Sequence, residues 1–391
     1  MSQTFLPYGR QHVTEADMAA VRRVLEGDYL TTGPEIPAFE TEFCTRTGAT
    51  HAVACNSATA ALHLALDALG VSGGDVCIVP SITFLATANA ARYCGADVVF
   101  ADVDPETGLM TPAALEAALA RAGGRARAVL PVHLGGSLCD MAAISTIARR
   151  EGLFVVEDAC HALGGADAHG APVGSCTHSD AATFSFHPVK TLTSGEGGMV
   201  TTRSAGLADA MARRRSHGVE REPGAFYRDA GAQEPWWYEQ QALGWNYRMP
   251  DILAALGRSQ LARLPEIAER RRALSSAYAE ALGDLAPLVK TPPAQPGVTH
   301  CLHLMNVQID FANAGVSRIE VMARLKAAGV GSQVHYIPVH TQPYYRALYG
   351  DQRLAGAEKH YLRTLSLPLY PELTDADVAR VAEALAAALK P

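Results

Sequence analysis

Lys190 stands just after an apolar run and among small residues, in Phe184-Ser185-Phe186-His187-Pro188-Val189-Lys190-Thr191-Leu192-Thr193-Ser194-Gly195-Glu196-Gly197-Gly198. A solvated lysine needs no such packing on either side. An amine held near the end of a strand can instead hold an aldehyde cofactor as a Schiff base. Upstream, Val155-Val156-Glu157-Asp158-Ala159-Cys160-His161-Ala162 closes another apolar run with Asp158. A carboxylate on a pyridine nitrogen keeps that nitrogen protonated, so the ring can absorb electrons from a substrate carbanion. Each residue has an ordinary role when taken alone, the lysine as a loop cap and the aspartate as a cap on the turn after its strand. Together they read as the two chemical ends of a pyridoxal 5'-phosphate (PLP) site.

A third group supplies the phosphate end. Asn56-Ser57-Ala58-Thr59-Ala60-Ala61-Leu62-His63 follows the apolar run 52–55 and opens a helix. The small hydroxyl residues Ser57 and Thr59 leave backbone N–H groups and hydroxyls to cradle a phosphate at the helix's positive end, with simple N-capping as the alternative. Ser185, five residues before the lysine, adds a hydroxyl at a neighbouring strand end. His161 suits packing on the cofactor, or a hydrogen bond to its phenolic oxygen or to Asp158. Phe84 starts a helix just past a strand and is placed either to stack on the cofactor ring or to fill the core.

These residues need a scaffold, and the chain spells one out. Strands are expected at 76–79, 98–102, 128–132, 154–158, 181–185 and 199–202, with helices at 58–69, 84–94, 111–121 and 142–150. Such alternation predicts an α/β fold with a mostly parallel sheet covered by helices, and a ligand crevice at the carboxyl ends of the strands. After about residue 213 the pattern changes to an aromatic, glycine-containing stretch at 226–245, then a long helical run over 251–282. A proline-bearing linker is expected at 287–298, followed by strands at 301–309 and 331–336 and a closing helix at 375–389. The expected division is a large PLP-binding domain, 1–250, and a small C-terminal α/β domain, 251–391.

Composition agrees with an enzyme-sized globular protein: 391 residues, 48% hydrophobic and 19% charged. The net charge of −7 argues against nucleic acid as a partner. No stretch approaches a membrane span and the opening lacks the features of a signal peptide, so a cytoplasmic location is expected. The eight cysteines include no Cys-x-x-Cys pair and read as reduced, buried thiols, and no metal site is expected. No Gly-x-Gly-x-x-Gly follows the first strand, which sets aside a dinucleotide site.

The ordered set Asn56-Ser57-Ala58-Thr59, Ile82-Thr83-Phe84, Glu157-Asp158-Ala159-Cys160-His161, Ser185-Phe186 with Lys190, and Gly244-Trp245-Asn246-Tyr247-Arg248-Met249 resembles the DegT/StrS-type sugar aminotransferases over nearly the whole chain. The resemblance implies a fold type I PLP-dependent transferase with helices on both faces of the sheet. It also implies a homodimer with shared active sites, acting on nucleotide-linked keto sugars with L-glutamate as donor. It assigns Lys190 to the Schiff base and proton transfer, Asp158 to the pyridine nitrogen and Phe84 to ring stacking. Ser57, Ala58, Thr59 and Ser185 would hold the phosphate, with Asn246 reaching it from the other subunit. Some members of the family replace the lysine with histidine and dehydrate; this chain retains the lysine.

Within the family, Leu6-Pro7-Tyr8-Gly9-Arg10-Gln11, Tyr29-Leu30-Thr31-Thr32-Gly33-Pro34, Phe186-His187-Pro188-Val189-Lys190, Pro235-Trp236-Trp237-Tyr238-Glu239-Gln240 and Val334-His335-Tyr336-Ile337-Pro338-Val339-His340 resemble the branch serving pseudaminic acid biosynthesis. That branch aminates C4 of a UDP-linked 4-keto-6-deoxy-N-acetylhexosamine by a ping-pong route. Trp245 departs from the smaller aromatic expected at its position. Substrate contacts are expected from Tyr8, His335 and Tyr336. Arg248, whose planar fork suits a glutamate carboxylate or a sugar pyrophosphate, is a candidate anion anchor, with an ordinary ion pair to a nearby acid as the alternative. The alternative substrate is another nucleotide-linked keto sugar or a cyclic polyol ketone.

Overall fold

The computed structural model describes residues 4–227 and 234–390. Met1–Gln3 of the opening and 228–233 of the expected aromatic stretch lie outside the described residues. Two helices, α1 (Glu15–Leu25) and α2 (Glu35–Thr47), precede β1 (His51–Cys55). Then come α3 (Ala58–Ala68), β2 (Val76–Pro80), α4 (Leu85–Tyr93), β3 (Asp97–Ala101), α5 (Pro112–Ala122), β4 (Ala126–Val129), α6 (Met141–Arg150), β5 (Phe154–Asp158), β6 (Ala181–Ser185), β7 (Gly198–Thr202) and α7 (Ala205–Arg215).

The strands form a seven-stranded sheet in the order β1-β7-β6-β5-β4-β2-β3. All pairings are parallel except those of β7, which runs against both β1 and β6. Four of the connections carry crossover helices, α3 to α6, and the long segment 159–180 carries the chain from β5 to its parallel neighbour β6, whereas the short loop from β6 allows β7 to return antiparallel. The two-residue period of the strands splits their side chains between two cores. Val53, Cys55, Ala181 and Val200 pack with the buried face of α3, while Ala54, Ala182, Phe184 and Met199 pack with Phe39 and Phe43 of α2. Helices therefore cover both faces of the sheet. The core on the α2 face includes aromatic pairs, Phe43 edge-on to Phe184 at 5.0 Å and Phe39 tilted against Phe186 at 5.3 Å.

The remaining chain supplies β8 (Val219–Glu220) and β9 (Glu239–Gln240), a two-stranded arm, then α8 (Asp251–Ala262) and α9 (Leu264–Ala281). A three-stranded antiparallel sheet follows, built from β10 (Val289–Lys290), β11 (Met305–Ile309) and β12 (Thr364–Leu367). Helices α10 (Phe311–Ala314), α11 (Arg318–Ala327), α12 (Pro343–Tyr349), α13 (Ala355–Arg363) and α14 (Asp375–Ala388) complete it. Its core includes Leu274, Tyr278, Val307, Val321, Leu365 and Leu385.

The helical run expected over 251–282 is two helices meeting at Arg263, because Pro265 in the first turn of α9 has no N–H to continue the ladder of α8. The two halves serve different cores: Ala254 and Leu261 join the Phe39 cluster, Leu274 and Tyr278 the small-sheet cluster. The strand expected at 331–336 is not formed. That segment touches β12 through one bridge, Gln333 with Ser366, and β12 itself is the third strand of the small sheet. The expected linker at 287–298 contains β10. Among the described residues no helix is long and apolar enough to cross a membrane.

Candidate active site

Strand register builds the first wall of the site. Cys55 pairs with Gly198, and Gly198 with Ser185, so the ends of β1, β7 and β6 stand abreast. Immediately beyond Cys55, Ser57 caps α3 by accepting the Ala60 N–H at 3.1 Å. The amides of Ala58 and Thr59 belong to the first turn, where no intrahelical acceptor exists. Gly198 is what allows this approach: a Cβ there would lie 2.4 Å from the Ser57 carbonyl oxygen and 2.8 Å from the Ala58 nitrogen. Orphan amides, the helix dipole and the Ser185 hydroxyl make a donor-rich pocket suited to a phosphate.

Asp158 ends β5 one strand away and is 6% exposed. Its Oδ2 accepts from Thr87 Oγ1 at 2.7 Å and its Oδ1 from the Cys160 amide at 3.2 Å. Backbone bonds to Pro131 and His133, 2.8 and 3.1 Å, fix the strand end. Asp158 forms no ion pair with any described residue. A buried carboxylate with no ion pair retains strong acceptor capacity, which a pyridinium N–H would satisfy.

Lys190 rides on the loop 186–197 between β6 and β7. The loop is braced by Ser194 N–H and Thr193 Oγ1, both donating to the Phe186 carbonyl at 3.0 Å, and by Lys190 N–H to His187 O at 2.9 Å. Burial holds the Lys190 amine below its ordinary pKa, opposed by the nearby Asp158 carboxylate. Part of the amine population is thus neutral nearer physiological pH, as a nucleophile or base must be.

The facing wall comes from distant segments. His161 Nδ1 accepts the Gly135 N–H at 3.2 Å, so in the neutral ring the proton is on Nε2, which donates to Tyr336 Oη at 3.2 Å. Burial, reinforced by Lys190 and His335, keeps His161 far below the usual imidazole pKa, and burial raises that of the Tyr336 phenol. The Tyr336 O–H is therefore left to donate. His303 lies 4.6 Å from His161, His335 packs 4.9 Å from Tyr336, and Tyr8 covers His335 at 5.4 Å. Phe84 is 57% exposed at the mouth, its ring 6.0 Å from that of Tyr336.

One cleft of about 670 Å³ is thus lined by Tyr8, Ser57, Ala58, Thr59, Phe84, Asp158, His161, Ser185, Lys190, His335 and Tyr336. The hydrogen bond to Asp158 considered for His161 is not formed, since both imidazole nitrogens are engaged elsewhere. Asn246 and Arg248 do not line this cleft. In their extended run Tyr247 and Met249 are drawn inward, Tyr247 by a 3.2 Å bond to His63 and Met249 by the core, and the residues alternating with them are not. The Asn246 side chain is exposed, and only its carbonyl is engaged, by Asn56 Nδ2 at 3.4 Å. Thr87, Cys160, Glu196 and His303 also belong to the site, although the sequence did not single them out. Thr87 stands one turn past Phe84, the single signal that pointed to it.

The donor set fits PLP: unpaired amides and hydroxyls at one end, a buried carboxylate at the other, an amine between them and an exposed aromatic ring over the space. A profile of the DegT/DnrJ/EryC1/StrS aminotransferase family matches residues 11–386. The spore coat polysaccharide biosynthesis protein SpsC of Bacillus subtilis is 41% identical over 384 residues, 97% of this chain and 96% of that protein. Among solved structures, Helicobacter pylori PseC, an aminotransferase involved in the biosynthesis of pseudoaminic acid, superposes with a TM-score of 0.89 at 27% identity, covering 99% of each chain. The PLP form of a putative sugar aminotransferase, Spr1654 of Streptococcus pneumoniae, gives 0.88 at 27% identity over 98% of both chains.

Proposed function

Because the chain belongs to the DegT/DnrJ/EryC1/StrS aminotransferase family and is a PLP-dependent transaminase, we propose that it carries an amino group from L-glutamate to the C4 ketone of a UDP-linked 4-keto-6-deoxy-N-acetylhexosamine, in pseudaminic-acid-type sugar biosynthesis. What most supports this reading is that Lys190, the first turn of α3 and Asp158 line one cleft with Tyr8, His335 and Tyr336 above them. The likeness to PseC supports the choice of sugar.

Bound PLP supplies an aldehyde that exchanges amino groups and a ring that accepts the electron pair left when a proton departs. The residues do the rest. Ser57, Ala58, Thr59 and Ser185 would hold the phosphate, Asp158 would accept the ring N–H, and Phe84 would stack on the ring. Lys190 would anchor the cofactor, and its Nζ would take the α-proton of glutamate and give a proton back. In the second half the same amine works in reverse at C4 of the sugar. Tyr336, oriented by His161, donates into the cleft.

The reading includes a homodimer in which Asn246 reaches the partner's phosphate pocket. The exposed Tyr29, Phe84 and Tyr93, between 54% and 59% accessible, suit a partner surface. It also includes a cytoplasmic location, and a larger cofactor-binding domain and a smaller C-terminal domain meeting near residue 250.

The test is spectroscopic. Glutamate should bleach the visible band of the PLP-loaded protein and the UDP-4-keto-6-deoxy-N-acetylhexosamine should restore it. Bleaching without recovery rejects that sugar; no bleaching rejects glutamate. Another nucleotide-linked keto sugar or a cyclic polyol ketone is the second reading, favoured by the 41% identity to a spore coat polysaccharide protein.

A further inference from the structure

His335 is 7% exposed and lies on the segment that fails to become a strand. Two backbone bonds with Gln333, 2.7 and 3.1 Å, tie that segment to Ser366 of β12. The Ser366 side chain then does something specific to the imidazole. Its Oγ is 2.7 Å from His335 Nδ1 and donates its single proton to Asn306 Oδ1 at 2.5 Å. A hydroxyl whose proton is committed can meet a second polar atom only as an acceptor. Nδ1 must therefore carry the ring proton, which leaves Nε2 bare. No described residue bonds to Nε2, and His335 lines the cleft. Tyr8 and Tyr336 pack against the ring.

We propose that Asn306 and Ser366 lock His335 in the Nδ1–H tautomer, so that its Nε2 serves as a hydrogen-bond acceptor for a hydroxyl of the sugar substrate. The opposite polarity is built next door, where Gly135 and His161 leave the Tyr336 hydroxyl as a donor. A sugar hydroxyl can give a proton to Nε2. The carboxylates of glutamate cannot, and would face a lone pair there. The acceptor is accordingly a discriminator for the sugar half of the reaction. Burial and the nearby Lys190 hold His335 at about 4, so it is neutral when the enzyme works. The choice of a sugar as ligand rests on the proposed function; the tautomer does not.

The first measurement is the ¹⁵N spectrum of the histidine-labelled, PLP-loaded enzyme near neutral pH, with His335 assigned through His335→Phe. A protonated Nδ1 and bare Nε2 that become mixed in Ser366→Ala are expected. The reverse tautomer, or a tautomer indifferent to Ser366→Ala, overturns the proposal. The second measurement is single turnover. His335→Phe keeps the ring contacts with Tyr8 and Tyr336 and removes the nitrogens. In His335→Phe, reaction with the UDP-ketosugar should fall about tenfold or more beyond any loss with glutamate, the size expected for one hydrogen bond to a bound substrate, and in Ser366→Ala it should fall in the same direction but less, in proportion to the lost Nδ1–H tautomer. Equal losses in both halves indicate a packing role and overturn the acceptor assignment. If the unmodified enzyme does not use that ketosugar, the sugar named above is wrong, and the tautomer spectrum alone decides this inference.

Discussion

Thr87 Oγ1 donates to Asp158 Oδ2 across 2.7 Å, and 2.8 Å on its other side is Thr83 Oγ1. Since Thr87 spends its proton on the carboxylate, it receives the proton of Thr83. The chain Thr83–Thr87–Asp158 thus orients the carboxylate from the first turn of α4, the same turn that presents Phe84. One helix start fixes both the group expected at the ring nitrogen and the group expected on the ring face.

Thr87→Val, nearly isosteric, leaves Asp158 Oδ2 without this donor. A hydrogen bond to a charged group contributes about 1.5–3 kcal/mol, so a loss of about tenfold to a hundredfold in turnover is expected, with PLP still bound. Stopped-flow rates for the glutamate half-reaction check this; an unchanged rate removes the threonine chain from the catalytic account.

Gly198→Ala places a methyl 2.4 Å from the Ser57 carbonyl oxygen. The backbone of α3 has to retreat, which pulls the Ala58 and Thr59 amides off the phosphate. PLP affinity should weaken about tenfold or more, with about 1–3 kcal/mol lost from stability through overpacking. Fluorescence titration of the apoenzyme with PLP, beside a denaturant melt, separates the two effects.

The Lys190 amine sits below its ordinary value because of burial, and the negative charge of Asp158 works in the opposite direction. In the apoenzyme, modification of Lys190 by an amine-reactive reagent should follow a pH midpoint below 10.5. Asp158→Asn removes the charge that favours the ammonium form, so the midpoint should move lower still. A midpoint that rises in Asp158→Asn contradicts the assigned burial and proximity.

His335 and His360 are held near 4, against an ordinary 6.5, principally by burial. Both are neutral in the folded chain, whereas the unfolded chain binds protons below about 6.5. Stability should therefore fall as pH drops through this window and level off near 4, by about 2 kcal/mol per imidazole between pH 7 and 5. Denaturant midpoints at the two pH values test this, and His360→Phe should show a shallower decline.

The chemistry of the site was readable in the chain because it is encoded locally. Lys190, Asp158 and Ser57 each stand at the end of an apolar run or the start of a helix, and such runs announce buried strands whatever their partners. The crossover pattern likewise determined a mostly parallel sheet with a crevice at its carboxyl ends. Tyr8, His335 and Tyr336 were legible as amphipathic residues near the family's motifs.

Partnership was decided only by the tertiary structure. Thr87 meets Asp158 across 71 residues and Tyr336 meets His161 across 175, and nothing in the local pattern records either pairing. Segment 331–336 has the composition of a strand, yet β12 takes the place beside β11 and leaves it to line the cleft. Arg248 looked like an anion anchor by residue type, but the alternation set by half-buried Tyr247 and buried Met249 kept it from the cleft. Local periodicity specifies which face of an element is buried. Which distant hydrogen-bonding group meets it, and therefore which imidazole nitrogen carries the proton, follows from the register and packing of the whole fold.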